Sequence, residues 1–129
     1  ALKLACGGFE AGDTAWSIAG GGAPAVAAGL TQVTAIAVEA VLTAVLVYAV
    51  LLTAVDKRAP QLGALLIGGV IIADIMVGGP LTGAAMNPAR WFGPALALGD
   101  LSAAVVYIVG PLIGAVVAAL SVRYLFAER

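Results

Sequence analysis

The polar positions of this chain fall in clusters, and the apolar stretches between them are long. Positions 33–55 form an apolar run of 23 residues carrying a single charge, Glu39. As a helix it would extend about 34 Å, enough to cross the hydrocarbon core of a bilayer. Asp56-Lys57-Arg58 ends the run, and Ala59-Pro60 predicts a turn, because proline disfavours helix at the residue before it. A second apolar run covers 61–77 and contains Gly63, Gly68, Gly69 and Asp74. Gly78-Gly79-Pro80 is expected to break it. A third covers 101–126, where Gly110 and Gly114 have the spacing of close helix packing and Pro111 is a candidate kink.

Segment 81–100 fits neither a span nor an ordinary loop. Gly83, Pro88, Gly93 and Pro94 interrupt it too often for a regular spanning helix, yet it is too apolar for a loop in water. A re-entrant segment resolves the conflict, since irregular backbone at membrane depth is tolerated where protein buries it or water lines it. Asn87 suits a helix N-cap and Pro88 the first helical position, which predicts a half-helix from Pro88 to about Leu96. Residues 6–30, rich in Gly and Ala, read as a connecting loop, and Ala1 to Ala5 as the end of a preceding helix. The expected architecture is an all-α membrane protein with three transmembrane helices and one re-entrant half-helix.

Composition agrees with that reading. The chain is 63% hydrophobic and 10% charged, against about 45–50% and about 25% for soluble domains. A net charge of −1 without a basic stripe argues against a nucleic-acid partner. No histidine is present, which removes histidine metal sites and histidine general bases together. Cys6 stands alone and reads as an inert small residue. Without a nucleophile–base pair or metal cluster, an enzyme is the weakest reading, and no cofactor is expected.

The basic residues set the orientation. With three spans and one re-entrant loop, Lys57, Arg58, Arg123 and Arg129 share one side, and Glu10, Asp13 and Asp100 the other. The positive-inside rule puts loop 56–60 and the C-terminus in the cytoplasm, and segment 6–30 and loop 78–86 outside. Arg90 lies inside the re-entrant segment and does not count. Trp16 and Tyr107 read as interface aromatics. Asp74 reads as a solvated carboxylate at the outer rim of the second span.

The half-helix carries the chemistry. Its N-terminus would place about half a positive charge inside the membrane, with the Asn87 amide donors beside it. Water held there by its oxygen would turn its hydrogens away, while cations and hydronium would meet a barrier. Arg90, one turn on, adds a full charge and a fork of donors. A charge at such depth costs at least about 2.5–3.5 kcal/mol and marks function more often than not.

The stretch Gly78-Gly79-Pro80-Leu81-Thr82-Gly83-Ala84-Ala85-Met86-Asn87-Pro88-Ala89-Arg90-Trp91-Phe92-Gly93-Pro94-Ala95-Leu96 closely resembles the second Asn-Pro-Ala loop of the aquaporin (major intrinsic protein) family. The resemblance extends to Glu39 and to Tyr107-Ile108-Val109-Gly110-Pro111, so it covers essentially the whole chain. It implies an inverted repeat in which each half contributes one half-helix. By position it assigns Asn87, Pro88 and Ala89 to the central motif and Arg90, Ile75 and Ala84 to the outer constriction. It also implies that Glu39 accepts hydrogen bonds from the re-entrant backbone, a structural role preferred to a proton relay. An aliphatic residue at Ile75 is similar to the vacuolar plant subgroup, which brings ammonia, urea or glycerol into view beside water. Ala95 leans towards water channels. Trp91 departs from the family pattern, where a small serine is usual.

The family implies six spans and two half-helices, normally as a homotetramer in a lipid bilayer. This chain offers three spans, one half-helix and no internal repeat. A fragment lacking its N-terminal repeat is preferred over two chains paired as an inverted dimer, because the basic bias of the inner loops opposes dual topology. The expected function is a passive channel for water and small neutral solutes. The alternative is a non-conducting membrane protein used for adhesion or packing, or a non-functional channel fragment, motivated by bulky Trp91 and the missing half.

Overall fold

The structure is a computed structural model that describes residues 22–55 and 62–126. Cys6, Glu10, Asp13, Trp16, Lys57, Arg58 and Arg129 lie outside the described residues, and with them much of the basis for the orientation. Four α-helices follow a short segment over 22–31: α1 (Gln32–Val50), α2 (Gly63–Thr82), α3 (Pro88–Leu98) and α4 (Ala104–Phe126). The protein is all-helical across these residues, the fold expected of three spans and a half-helix.

Thr31 starts α1 by accepting a hydrogen bond from the Thr34 N–H through its hydroxyl, at 3.2 Å, the usual way to satisfy an orphan donor. After Val50 the helix widens into a π-helical turn, Leu51–Val55. The Thr53 hydroxyl donates to the Ala49 carbonyl and so competes for the acceptor that the α-helical ladder would use. The stretches Gln32–Val55, Gly63–Thr82 and Ala104–Leu125 are each long and apolar enough to cross a membrane. Val33, Leu65, Ile72, Met76, Leu120 and Leu125 are exposed on them. Water would penalise such a surface and lipid does not. The chain is an integral, multi-pass membrane protein.

The second span differs from its expected bounds. It runs through Gly78-Gly79-Pro80 to Thr82, so the expected outer loop 78–86 and re-entrant segment 81–100 both lose residues to the helix. Proline removes one N–H, but stopping the helix would free more backbone groups where no water can satisfy them. Gly83 (φ 74°) then ends it in a left-handed cap, its N–H donating to the Gly79 carbonyl at 2.9 Å. Glycine takes that φ without a Cβ penalty. The last span likewise begins at Ala104 rather than Leu101, and it stays helical through Pro111.

Helix α1 packs chiefly on α4, and α2 joins α1 from another side. The α1–α4 crossing is close because Gly110 and Gly114 face α1. A Cβ at Gly110 would lie 2.9 Å from the Ile36 carbonyl oxygen. One at Gly114 would lie 3.0 Å from the Ala40–Ala44 turn at the Ala44 nitrogen and would overlap the Ala40 carbonyl oxygen. Buried positions on α4 repeat as Tyr107, Gly110, Pro111, Gly114 and Ala118, a helical stripe.

That contact yields a paired prediction. Gly114→Ala must push α1 and α4 apart and is expected to cost about 1–3 kcal/mol. Gly93→Ala on α3, where nothing lies within 4 Å of the added carbon, is expected to be neutral or stabilising by up to about 1 kcal/mol. Thermal unfolding in detergent, followed by circular dichroism, checks the pair. Equal shifts would mean that the close crossing does not limit stability.

Candidate functional site

Helix α3 has 11 residues and so rises about 16 Å, roughly half the thickness of a hydrocarbon core. Asn87 caps its start with extended backbone (φ −155°, ψ 117°), and its Oδ1 accepts from the Ala89 N–H at 2.9 Å. Pro88 occupies the first turn, where its missing N–H costs nothing. Asn87 and Arg90 are exposed on the structure's surface, as is Ala89.

The backbone leading into Asn87 is bent sharply. Ala84 (φ 45°) and Met86 (φ 52°) both lie in the left-handed region, which costs L-residues about 1–2 kcal/mol each. Glu39 holds that bend. Its Oε1 accepts from the Ala85 N–H at 2.9 Å and its Oε2 from the Met86 N–H at 2.7 Å. The Thr82 hydroxyl donates to Oε1 at 2.6 Å. Glu39 is fully buried, as are Thr82 and Ala84. Hydrogen bonds to a charged acceptor contribute about 1.5–3 kcal/mol each, so three outweigh two strained residues.

The bend turns loop carbonyls towards the start of α3. Arg90 Nη1 donates to the Gly83 carbonyl at 3.3 Å and also to the Ala84 carbonyl. The exposed guanidinium is thereby tied to the loop. Asn87, Ala84, Arg90 and Glu39 are therefore drawn into one site. Ile75 stands apart from these bonds: it is exposed on α2, turned about 100° from the buried stripe Asp74, Gly78 and Thr82 that faces α1.

The family follows from the sequence of the same residues. A model of the family described as "Major intrinsic protein" matches residues 4–122. The chain belongs to the major intrinsic protein family. Among curated relatives of the family, it is 52% identical over 48 residues to "Probable aquaporin TIP2-2" of Oryza sativa subsp. japonica, which covers 37% of this chain and 19% of the relative. It is 67% identical over 36 residues to "Aquaporin TIP2-1" of Arabidopsis thaliana, covering 28% of this chain and 14% of the relative. It is 56% identical over 41 residues to "Aquaporin NIP1-1" of Zea mays, covering 32% and 14%. The matched stretches thus span a fifth or less of those relatives' length.

Two side chains of this family member differ from their expected places, and a third, Trp91, had none assigned. Tyr107 is not an interface aromatic: it is fully buried, and its hydroxyl donates to the Thr82 carbonyl at 2.8 Å. Asp74 is not a solvated rim carboxylate. Because α2 continues to Thr82, Asp74 sits inside the helix with 5% exposure, on the same helical stripe as Gly78 and Thr82. Trp91 is buried, its ring stacked on Tyr107 with centroids 5.5 Å apart and planes 21° apart.

Thr82 and Tyr107 are site residues that sequence reasoning missed. They close the end of α2, whose last carbonyls need donors. The Leu81 carbonyl takes the Ala27 N–H at 2.8 Å, and Thr82 takes Tyr107. A signal for Tyr107 was present: it lies three and seven residues before Gly110 and Gly114, on the face those glycines bring against α1. At the far end of α3, Asp100 Oδ1 accepts from the Ser102 N–H at 2.9 Å. Hydrogen bonds from the Ser102 side chain and backbone hold its carboxyl below the usual carboxylate range. Among the described residues no group of three or more His, Cys, Asp or Glu could hold a metal ion.

Proposed function

We propose that this chain supplies one half of a passive transmembrane channel for water and small neutral solutes. The observation that carries the reading is the start of α3: Asn87 caps a half-length helix, and Arg90 follows one turn later, fixed by loop carbonyls. The orphan N–H groups and the dipole place positive potential at that point. With Oδ1 committed to Ala89, the Nδ2 amide is the donor the Asn87 side chain offers. A water held there by its oxygen cannot pass a proton along a hydrogen-bonded file, and Arg90 repels cations.

Arg90, Ile75 and Ala84 form this half's share of an outer constriction. The aliphatic Ile75 supports passage of urea, ammonia or glycerol beside water, since it supplies no donor or acceptor that would select for water. A second, inverted half completes the pore over the exposed Asn87 and Arg90. Loop 56–60 and the C-terminus face the cytoplasm by the positive-inside rule, with the re-entrant segment entering from outside. The names of the aquaporin relatives support the channel reading. So does Trp91, because its indole lies against Tyr107 and not on the exposed side of α3.

Stopped-flow shrinkage of proteoliposomes holding the completed channel tests this. Water permeability well above that of empty liposomes, with a low activation energy, is the expected result. Permeability indistinguishable from empty liposomes would favour a non-conducting role.

A further inference from the structure

The residue after Arg90 is the largest side chain in α3, and the function proposed above gives it no task. Trp91 lies at 2% exposure. It stacks on Tyr107 of α4, which donates to the Thr82 carbonyl. Thr82 in turn donates to Glu39, which holds Ala85 and Met86. One continuous series of contacts therefore runs from the half-helix, through α4 and the end of α2, back to the loop whose carbonyls hold Arg90.

Its geometry fits a positioning device. Arg90 and Trp91 are neighbours on a helix, so their side chains point about 100° apart. Fixing the indole against α4 fixes the rotation of α3 about its own axis, and with it the direction of the guanidinium. Elsewhere α3 has little to resist such rotation: Phe92, Leu96 and Leu98 are exposed, and only Trp91 and Ala95 are buried along its length.

We propose that Trp91 is a positioning residue for Arg90, and that the ratio of urea to water permeability depends on its stack with Tyr107. The proposal rests on the channel reading for its transport consequence, but not for its structural one. An offset aromatic pair shifts a local equilibrium about two- to tenfold, so Arg90 would leave its place that much more often without the ring.

The test compares W91S, W91F and Y107L with wild type in the completed channel. Two quantities are read: the urea-to-water permeability ratio in proteoliposomes, and amide hydrogen exchange in detergent at α3 and at Ala85 and Met86. The expected result is that W91S and Y107L raise the ratio about two- to tenfold and speed exchange over α3, while α1 keeps its protection. W91F, which keeps a ring for Tyr107, should restore both. A wild-type ratio with unchanged α3 exchange in W91S would overturn the proposal. So would a ratio that rises equally in W91S and W91F. If wild type moves no water above empty liposomes, the channel reading falls, and the exchange measurement alone decides the positioning role. If W91S fails to fold, Y107F, which keeps the ring and drops the hydroxyl bond to Thr82, is compared with Y107L, which drops both: a ratio raised in Y107L but not in Y107F supports the stack, and equal ratios overturn it.

Discussion

Glu39→Ala is expected to destabilise the protein by at least about 3 kcal/mol, because it strands the Ala85 and Met86 N–H groups and leaves the Thr82 hydroxyl only the Gly78 carbonyl, at 3.5 Å. The Ala85 and Met86 N–H groups and the Thr82 hydroxyl all end on this carboxylate, at a site that no solvent reaches. The left-handed backbone of Ala84 and Met86 would lose the interactions that hold it, and Asn87 would lose its place. Glu39→Gln separates charge from shape. It keeps the volume but replaces one acceptor oxygen with a donor, which would face an N–H or a hydroxyl. About half of the loss is expected, or roughly 1.5 kcal/mol. Unfolding in detergent gives the stabilities, and hydrogen exchange at Ala85 and Met86 reports the loop itself. If Glu39→Gln matches wild type in both, the carboxylate is not the anchor of the loop.

Much of this arrangement is legible in the sequence. Long apolar runs announce spans, because only helices and closed barrels satisfy their backbone in lipid. Asn87-Pro88 announces a helix start through local chemistry alone. What the sequence hid depends on contacts between elements. Gly78-Gly79-Pro80 looks like a stop, because in water a helix ending there could bond to solvent. In lipid the helix gains by continuing until Gly83, where the Gly79 and Leu81 carbonyls find their partners. That one difference in α2 also moved Asp74 from a rim to a helix interior.

Tyr107 and Trp91 were hidden for a related reason. An aromatic near the end of a span is commonly an interface anchor, and its residue type does not reveal which face it occupies. The decisive fact is the α1–α4 crossing. Gly110 and Gly114 bring α1 so close that anything on their stripe is buried. Burial then requires the Tyr107 hydroxyl to find an acceptor, which Thr82 at the end of α2 provides. The ring of Tyr107 is what receives Trp91.

Arg90 offers the largest expected effect on transport. Arg90→Ala removes a full charge, while the half charge of the helix N-terminus remains. At an effective dielectric of about 20 and a separation of about 8 Å, one unit charge raises the barrier to a cation by about 2 kcal/mol. The variant is therefore expected to leak cations on the order of thirtyfold faster, measured as the decay of an imposed potential across proteoliposomes. Its folding should suffer little, because the side chain is exposed and its partners are two carbonyls that water can also serve. Arg90→Lys keeps the charge but puts a flexible ammonium in place of the planar guanidinium whose Nη1 donates to both the Gly83 and Ala84 carbonyls. It should therefore hold back cations nearly as well as wild type while admitting urea more readily. A cation leak in Arg90→Ala no greater than in wild type would remove the charge from the mechanism. A leak in Arg90→Lys as large as in Arg90→Ala would instead show that placement matters more than charge, and would assign the barrier to the geometry that Glu39 maintains.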